Sequence, residues 1–201
     1  MQGFVSALVE HCAARLANLF DSQGGFTLEA LETGLRFHRS RIYTHKHLRI
    51  NYTRTDVKRA QDTLTVDRDN RDIMLLTPDD DPTCTTQPFQ YARIQRIIHA
   101  NVWHYSPGSS ICPCPVRLDL LWVRWFRPVR SVQLGWDRDE LPRLSFIPVT
   151  EDGAFGFIDP AQVLRAAHLI PDFAGSRTDK LLGPSQFRDS EGDWASYYVG
   201  M

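Results

Sequence analysis

The run Arg117–Phe126 (RLDLLWVRWF) is the clearest apolar stretch of the chain, and Pro128 closes it. Ten residues rich in aromatic and branched side chains, with no glycine or proline among them, read as a strand. Side chains alternate along a strand, so Trp122, Arg124 and Phe126 share one face and Leu121, Val123 and Trp125 the other. One tryptophan is therefore expected in a core and the second on the opposite face. A chain built around such a strand must supply partners for it, and the remaining sequence offers several.

Tyr91–Tyr105 alternates, with Tyr91, Arg93, Gln95 and Ile97 set against Ala92, Ile94, Arg96 and Ile98, and it is long enough to bend or hold a bulge. Shorter strands are expected at Arg36–Tyr43 and His47–Tyr52, which fit two strands or one bent strand, and at Asp72–Thr77 and Leu141–Pro148. Phe4, Val5, Leu8, Cys12, Leu16, Leu19 and Phe20 fall at helical spacing, which predicts an amphipathic helix over residues 3–20 that stops before Gly24-Gly25. Thr27 is placed to cap a second short helix ending near Gly34. Residues 53–71 read as irregular or partly helical, and 78–88 and 106–115 as loops. Asp159-Pro160 is an N-cap followed by proline, opening a short helix or turn through Arg165. The tail from Phe173 is polar and glycine-rich. Five or six short strands with long connections predict a mainly β (α+β) fold. The expected form is a small SH3-like barrel, open or partly closed, over residues 35–200, preceded by a helical segment over 1–34.

A chain of 201 residues can bury a substantial core without staples. Apolar residues make up 42% and charged residues 23%, with no run near the roughly 18 apolar residues that span a membrane. Glu10, His11, Arg15 and Asn18 interrupt any secretory h-region in the first twenty residues. Cys12, Cys84, Cys112 and Cys114 are too few and too irregular for a disulfide framework. A nuclear or cytoplasmic protein with free thiols is expected, with no membrane partner and no cofactor.

Charge is distributed unevenly. Residues 36–59 hold eight Lys or Arg against one acid, Asp56, which gives this segment +7 and leaves −8 for the rest of a chain of net charge −1. Arg36, Arg39, Arg41, Lys46, Arg49, Arg54, Lys58 and Arg59 could contact phosphates, with Tyr43 and Tyr52 available to stack on bases. The plainer account is a solvated face paired to Asp62, Asp67, Asp69, Asp72 and Asp79–Asp81.

Several segments carry a resemblance in their order along the chain. They are RIYTHKHLRINYTRTDVKRAQDTL (41–64), DIMLLTPDDD (72–81), YARIQRIIHANV (91–102), LLWVRWF (120–126), GWDRDELPRLSFIP (135–148), AFGFIDPAQVLRAAHLIPDF (154–173), GSRTDKLLGPS (175–185) and DWASYYV (193–199). This set resembles a domain at the C-terminal end of long mobile-element proteins of mushroom-forming fungi, of the Plavaka or Kyakuja-Dileera-Zisupton transposase type. The resemblance spans residues 36–200 and implies a transposon-derived context, with any transposase chemistry outside this segment. A second resemblance concerns fold. The Asp-Ile-Met-Leu-Leu strand, Tyr91-Ala92-Arg93-Ile94 and Arg124-Trp125-Phe126-Arg127-Pro128 are similar to segments of bromo-adjacent homology domains. That likeness implies a β-barrel reader of histones, nucleosomes or other proteins, without enzymatic activity. The long N-terminal half and the 106–115 loop depart from it.

Two further candidate sites arise from the residues. Trp122, if half-exposed, could join Tyr91, Trp103 or Trp136 in an aromatic cage for a cationic side chain of a histone peptide; the alternative is that these rings fill a core. His99, His104, Cys112 and Cys114 form a metal-like group, but H-x4-H-x7-C-x-C is no established zinc spacing. Two strand histidines and two loop cysteines are the simpler account. Asp119, Asp137, Asp139 and Glu140 are the acids available for metal-assisted chemistry, and they read as solvated. The expected function is a non-enzymatic interaction module for chromatin, DNA or a protein partner. The alternatives are direct nucleic-acid binding through 36–59 and a small metal-dependent enzyme.

Overall fold

A computed structural model describes residues 2–20, 34–68, 70–78, 88–104, 115–129, 141–188 and 191–200. One helix, α1 (Gln2–Phe20), precedes thirteen strands among these residues. They are β1 (Leu35–His45), β2 (His47–Thr53), β3 (Arg59–Thr65), β4 (Asp72–Leu76), β5 (Phe89–His104), β6 (Val116–Pro128) and β7 (Arg143–Phe146). After these come β8 (Phe155–Ile158), β9 (Val163–Ala166), β10 (His168–Pro171), β11 (Arg177–Thr178), β12 (Asp193–Trp194) and β13 (Tyr197–Gly200). Nine of them form one antiparallel sheet along the path β10-β13-β7-β6-β5-β4-β9, with β1 added to β5 and β8 to β6. The path has two ends, so the sheet does not close into a barrel. The second helix expected near Thr27 lies outside the described residues.

The central strand is β6, as its sequence demands. Leu120, Leu121, Trp122, Val123 and Arg124 are all buried, because the sheet is covered on both faces. On one face Leu118, Leu120 and Trp122 pack with Leu8, Cys12, Ala13 and Leu16 of α1 and with Phe157. Val5 and Leu19, counted on the apolar side of the helix from spacing alone, are instead exposed, which leaves a narrower stripe. On the other face Leu121 and Val123 meet Ile73, Ile94, Ile97, Ile158 and Val163. The β2–β3 hairpin closes that face with Ile50 and Leu64. A third cluster, Phe126, Leu144, Phe146, Tyr197 and Val199, forms where β6 passes to β7 and β13.

Four expectations are corrected. The polar stretch 53–71 is irregular only in its flanks: Arg59–Thr65 is a strand that pairs along its length with β2. Its alternation is polar outside and sparse in apolar residues inside, which hides it from a hydrophobic reading. Asp159 does cap a turn, accepting from Ala161 N with Gln162 completing the capping box. That turn is a single 3₁₀ turn, Pro160–Gln162, and Val163–Ala166 is a strand beside β4. The polar tail supplies β13, which sits between β10 and β7 inside the main sheet.

The fourth correction concerns alternation in β5. The pairing of β5 with β6 slips between Ile94 and Arg96, so Gln95 is an extra residue in the strand. Ile94 and Ile97 consequently share one core cluster while Ile98 joins the other. A one-residue bulge inverts the facing of everything beyond it.

Candidate functional site

Buried charge is the first feature that needs a physical account. Arg93 grips Asp72 with two parallel bonds, Nε to Oδ1 at 2.7 Å and Nη2 to Oδ2 at 2.9 Å, both side chains being buried. Its guanidinium also lies 5.0–5.6 Å from the ring centroids of Phe126, Phe146 and Tyr197. Arg124 donates to Asp193 at 2.7 Å and stacks 3.8 Å from the centroid of Phe146. Burial pushes the Arg124 pKa down and Asp193 pulls it back up. Arg143 engages Asp172 and Ser196, fastening β7 to the turn after β10. These pairs hold the sheet together and use their charges internally.

A different set of cations gathers around a cleft. The end of β1, the β3–β4 connection, the β5 bulge and the C-terminal segment converge on a half-open cleft of about 620 Å³. Among the described residues Lys46, Arg68, Arg71 and Arg96 line it together with one acid, Asp67. Val66, Ile97 and Phe187 supply apolar surface within it, and Thr44, Gln95 and Gln186 supply neutral polar groups. The bulge matters here, because bulges re-aim side chains at such sites. It places Gln95 and Arg96 side by side on the cleft wall. Arg96 reaches Gln186 at 3.4 Å and lies 5.7 Å from the centroid of Phe187.

His45 stands at the edge of this cleft, its Nε2 2.6 Å from Nδ1 of His99. The rings are 27° from coplanar with centroids 4.9 Å apart, so they meet edge to edge rather than face to face. Tyr43 covers one face of His99 at 4.6 Å. Burial and the neighbouring Arg117 and His45 lower the His99 pKa, against a smaller upward pull from Asp119. A neutral His99 accepting the proton of its neighbour fits that direction.

Beside the cleft the β2–β3 hairpin turns outward a face composed of His47, Arg49, Asn51, Thr53, Arg59, Gln61 and Thr63, all exposed. No carboxylate stands among them. Asp62 points inward and accepts from Ala166 N at 2.9 Å, while Asp72 is spent on Arg93. Two of the acids expected to neutralise the basic segment are therefore committed elsewhere. Asp69 and Asp79–Asp81 lie outside the described residues.

The eight basic residues do not share one surface. Arg49 and Arg59 stand on the hairpin face, Arg54 and Lys58 in its turn, and Lys58 pairs with Asp56 at 3.4 Å. Lys46 joins hairpin and cleft. Arg39 and Arg41 project from an irregularity in β1 between Phe37 and Ile42, where Arg39 and Ser40 take φ of 57° and 52°. Arg36 donates to Leu35 O at 2.8 Å. Neither tyrosine offers an open platform: Tyr43 lies on His99, and Arg165 sits 5.0 Å from the centroid of Tyr52.

The aromatic cage residues are dispersed. Trp122 is only 8% exposed and lies under α1, 5.0 Å from Phe4, 4.6 Å from Phe157 and 5.6 Å from Phe155. Tyr91 packs against the cluster around Phe146, and burial raises its pKa. Trp103 donates to His38 Nδ1 at 3.1 Å near the far end of β5. Trp136 lies outside the described residues. The second tryptophan of β6, Trp125, is half-buried on the opposite face, against Gly156, where a Cβ would come within 2.9 Å of its indole nitrogen.

Of the metal-like group, His99 pairs with His45, and His104 ends β5 with its side chain outside the described residues, as are Cys112 and Cys114. No group of three or more His, Cys, Asp or Glu is placed to hold a metal among the described residues. Asp119 is engaged by Arg117 at 2.8 Å; Asp137, Asp139 and Glu140 lie outside the description. Cys12 is buried on the sheet-facing side of α1, and burial pushes its thiol pKa up to about 12.

Sequence reasoning missed Arg68, Arg71, Gln95, Arg96, Gln186 and Phe187. Only the length of the Tyr91–Tyr105 run, with its allowance for a bulge, pointed toward any of them. No helix among the described residues is long and apolar enough to cross a membrane. No family model, curated protein or solved structure matches the chain.

Proposed function

We propose that the chain is a non-enzymatic interaction module that binds nucleic acid through the cleft at Lys46 and the outward face of the β2–β3 hairpin. The observation that carries this reading is the cleft's lining, where among the described residues Lys46, Arg68, Arg71 and Arg96 stand with the one carboxylate of Asp67. It adjoins a hairpin face whose charged groups are Arg49 and Arg59 with no acid among them. Arginine and lysine around a concave surface concentrate phosphates and release counterions on binding. Amide and hydroxyl groups between the arginines suit sugar and phosphate oxygens, which accept most protein–nucleic acid hydrogen bonds.

The resemblance to fungal mobile-element proteins accords with this proposal, since a nuclear module holding nucleic acid would serve such a protein. Pairing of Tyr91-Ala92-Arg93-Ile94 with Val123-Arg124-Trp125 brings the two bromo-adjacent-homology-like segments side by side. That adjacency supports a reader-type layout. A histone-peptide cage gains no support from Trp122 beneath α1.

Fluorescence anisotropy with a labelled oligonucleotide across a salt series tests the reading. Engagement of three or four phosphates gives a slope of log K against log salt of about −2 to −4. The triple substitution Lys46→Ala, Arg68→Ala, Arg96→Ala should flatten it. A slope near zero, or unchanged binding by that variant, would remove the proposal.

A further inference from the structure

Resting on that reading, we infer that the cleft seats one unpaired nucleotide, so that the ligand is single-stranded rather than duplex. The shape of the site is the first argument. A duplex presents a convex backbone and keeps its bases inside, whereas this surface is a half-open concavity of about 620 Å³. That volume falls in the range of small-molecule sites, which run from roughly 300 to 1,000 Å³.

The composition of the interior is the second argument. Val66, Ile97 and Phe187 line the same cleft as Lys46, Arg68, Arg71 and Arg96. Apolar surface gains nothing from an anion and gains from a flat ring, so the ligand that satisfies both parts is an aromatic base joined to phosphate. Arg96 stands near the face of Phe187, and a guanidinium plane is itself a surface on which an exposed base stacks.

The third argument is hydrogen-bonding capacity. Gln95 and Gln186 bring two carboxamides to one wall, and a carboxamide offers a donor and an acceptor together, as a base edge does. Their present bonds are long, Gln95 to Arg93 O at 3.4 Å and Arg96 to Gln186 at 3.4 Å, and readily exchanged for better ones.

The test compares three labelled probes of equal length by anisotropy: a single strand, the same sequence closed as a hairpin duplex, and an abasic single strand. The single strand is expected to bind about tenfold more tightly than either of the others, the scale of one stacked base. Gln186→Ala, at the exposed rim, and Phe187→Leu should lower single-strand affinity and leave abasic binding unchanged. Thermal melting confirms that each variant is folded; Gln186→Ala carries the result if Phe187→Leu unfolds. Equal or tighter binding of the duplex, or of the abasic strand, overturns the unpaired-nucleotide inference while leaving nucleic-acid binding intact. Failure of all three probes to bind removes both readings. Displacement of the single strand by a phosphoserine peptide at equal concentration assigns the cleft to another ligand class and likewise overturns the inference.

Discussion

Arg93 and Arg124 stand directly opposite each other on neighbouring strands, and both guanidinium groups are buried against the ring of Phe146. Two like charges as cross-strand neighbours are tolerated because each has its own carboxylate, Asp72 from β4 and Asp193 from β12. Among the described residues Nε and Nη2 of Arg124 find no hydrogen-bond acceptor, and the stacked phenyl ring is their compensation.

Asp193→Asn should therefore be strongly destabilising. It leaves Arg124 charged, buried and unpaired, a situation that costs about 3–5 kcal/mol. The double substitution Arg124→Met, Asp193→Leu should recover most of that loss, since a buried ion pair replaced by apolar groups of similar volume is often neutral. Urea unfolding of the three proteins measures both effects.

Trp122 separates core from cage. Trp122→Ala is expected to cost about 3–5 kcal/mol, the range for large aromatic truncations in a core. Trp122→Phe should be far milder, because the indole N–H is buried without an acceptor and its loss removes an unsatisfied donor. A Trp122→Ala protein with wild-type melting behaviour would contradict the packing under α1.

Arg49 and Arg59 should act on affinity and not on folding. Both are exposed on the hairpin and make none of its core contacts. Changing either to alanine should reduce the salt slope of oligonucleotide binding by about one and leave the melting temperature alone. A lost melting temperature would give them a structural part instead.

Stability should fall on acidification below pH ~6.5, the ordinary histidine value. His11, packed on Phe157, has its pKa lowered by burial and by Arg15; His99 is lowered by burial, Arg117 and His45. Groups with depressed histidine values favour the native state when neutral, so their contribution is full above the unfolded value and fades as pH drops toward the folded one. The groups facing His99 are Tyr43 and His45 on β1 and Arg117 and Asp119 on β6. A His11→Gln, His99→Gln protein should show a flatter stability profile between pH 5 and 7, read from thermal melts.

Much of the architecture was legible where apolar side chains recur. The strands β5 and β6, the helix α1 and the cap at Asp159 follow from periodicity and local chemistry. The hairpin partner β3 did not, because its inward positions are Ala60, Asp62 and Leu64, too mixed to show alternation. The length of β5 allowed for a bulge, but its position at Gln95 could not be read: on either side the residues alternate correctly, and only cross-strand pairing shows the slip. The cleft depends on that slip and on Gln186 and Phe187, about ninety residues away. No local pattern could join them. The basic segment was conspicuous in composition, yet only Lys46 of its eight cations reaches the cleft.

The placement of β13 between β10 and β7, with Asp193 clipped to Arg124, has a consequence for biosynthesis. On the ribosome, the Arg124 side chain is made long before the carboxylate that neutralises it, and β7 before the strand that covers its flank. The third cluster can assemble only once residues 193–200 have left the exit tunnel. Folding of this domain must therefore be completed after its last strand is made, and a chain truncated ahead of Asp193 cannot seal itself.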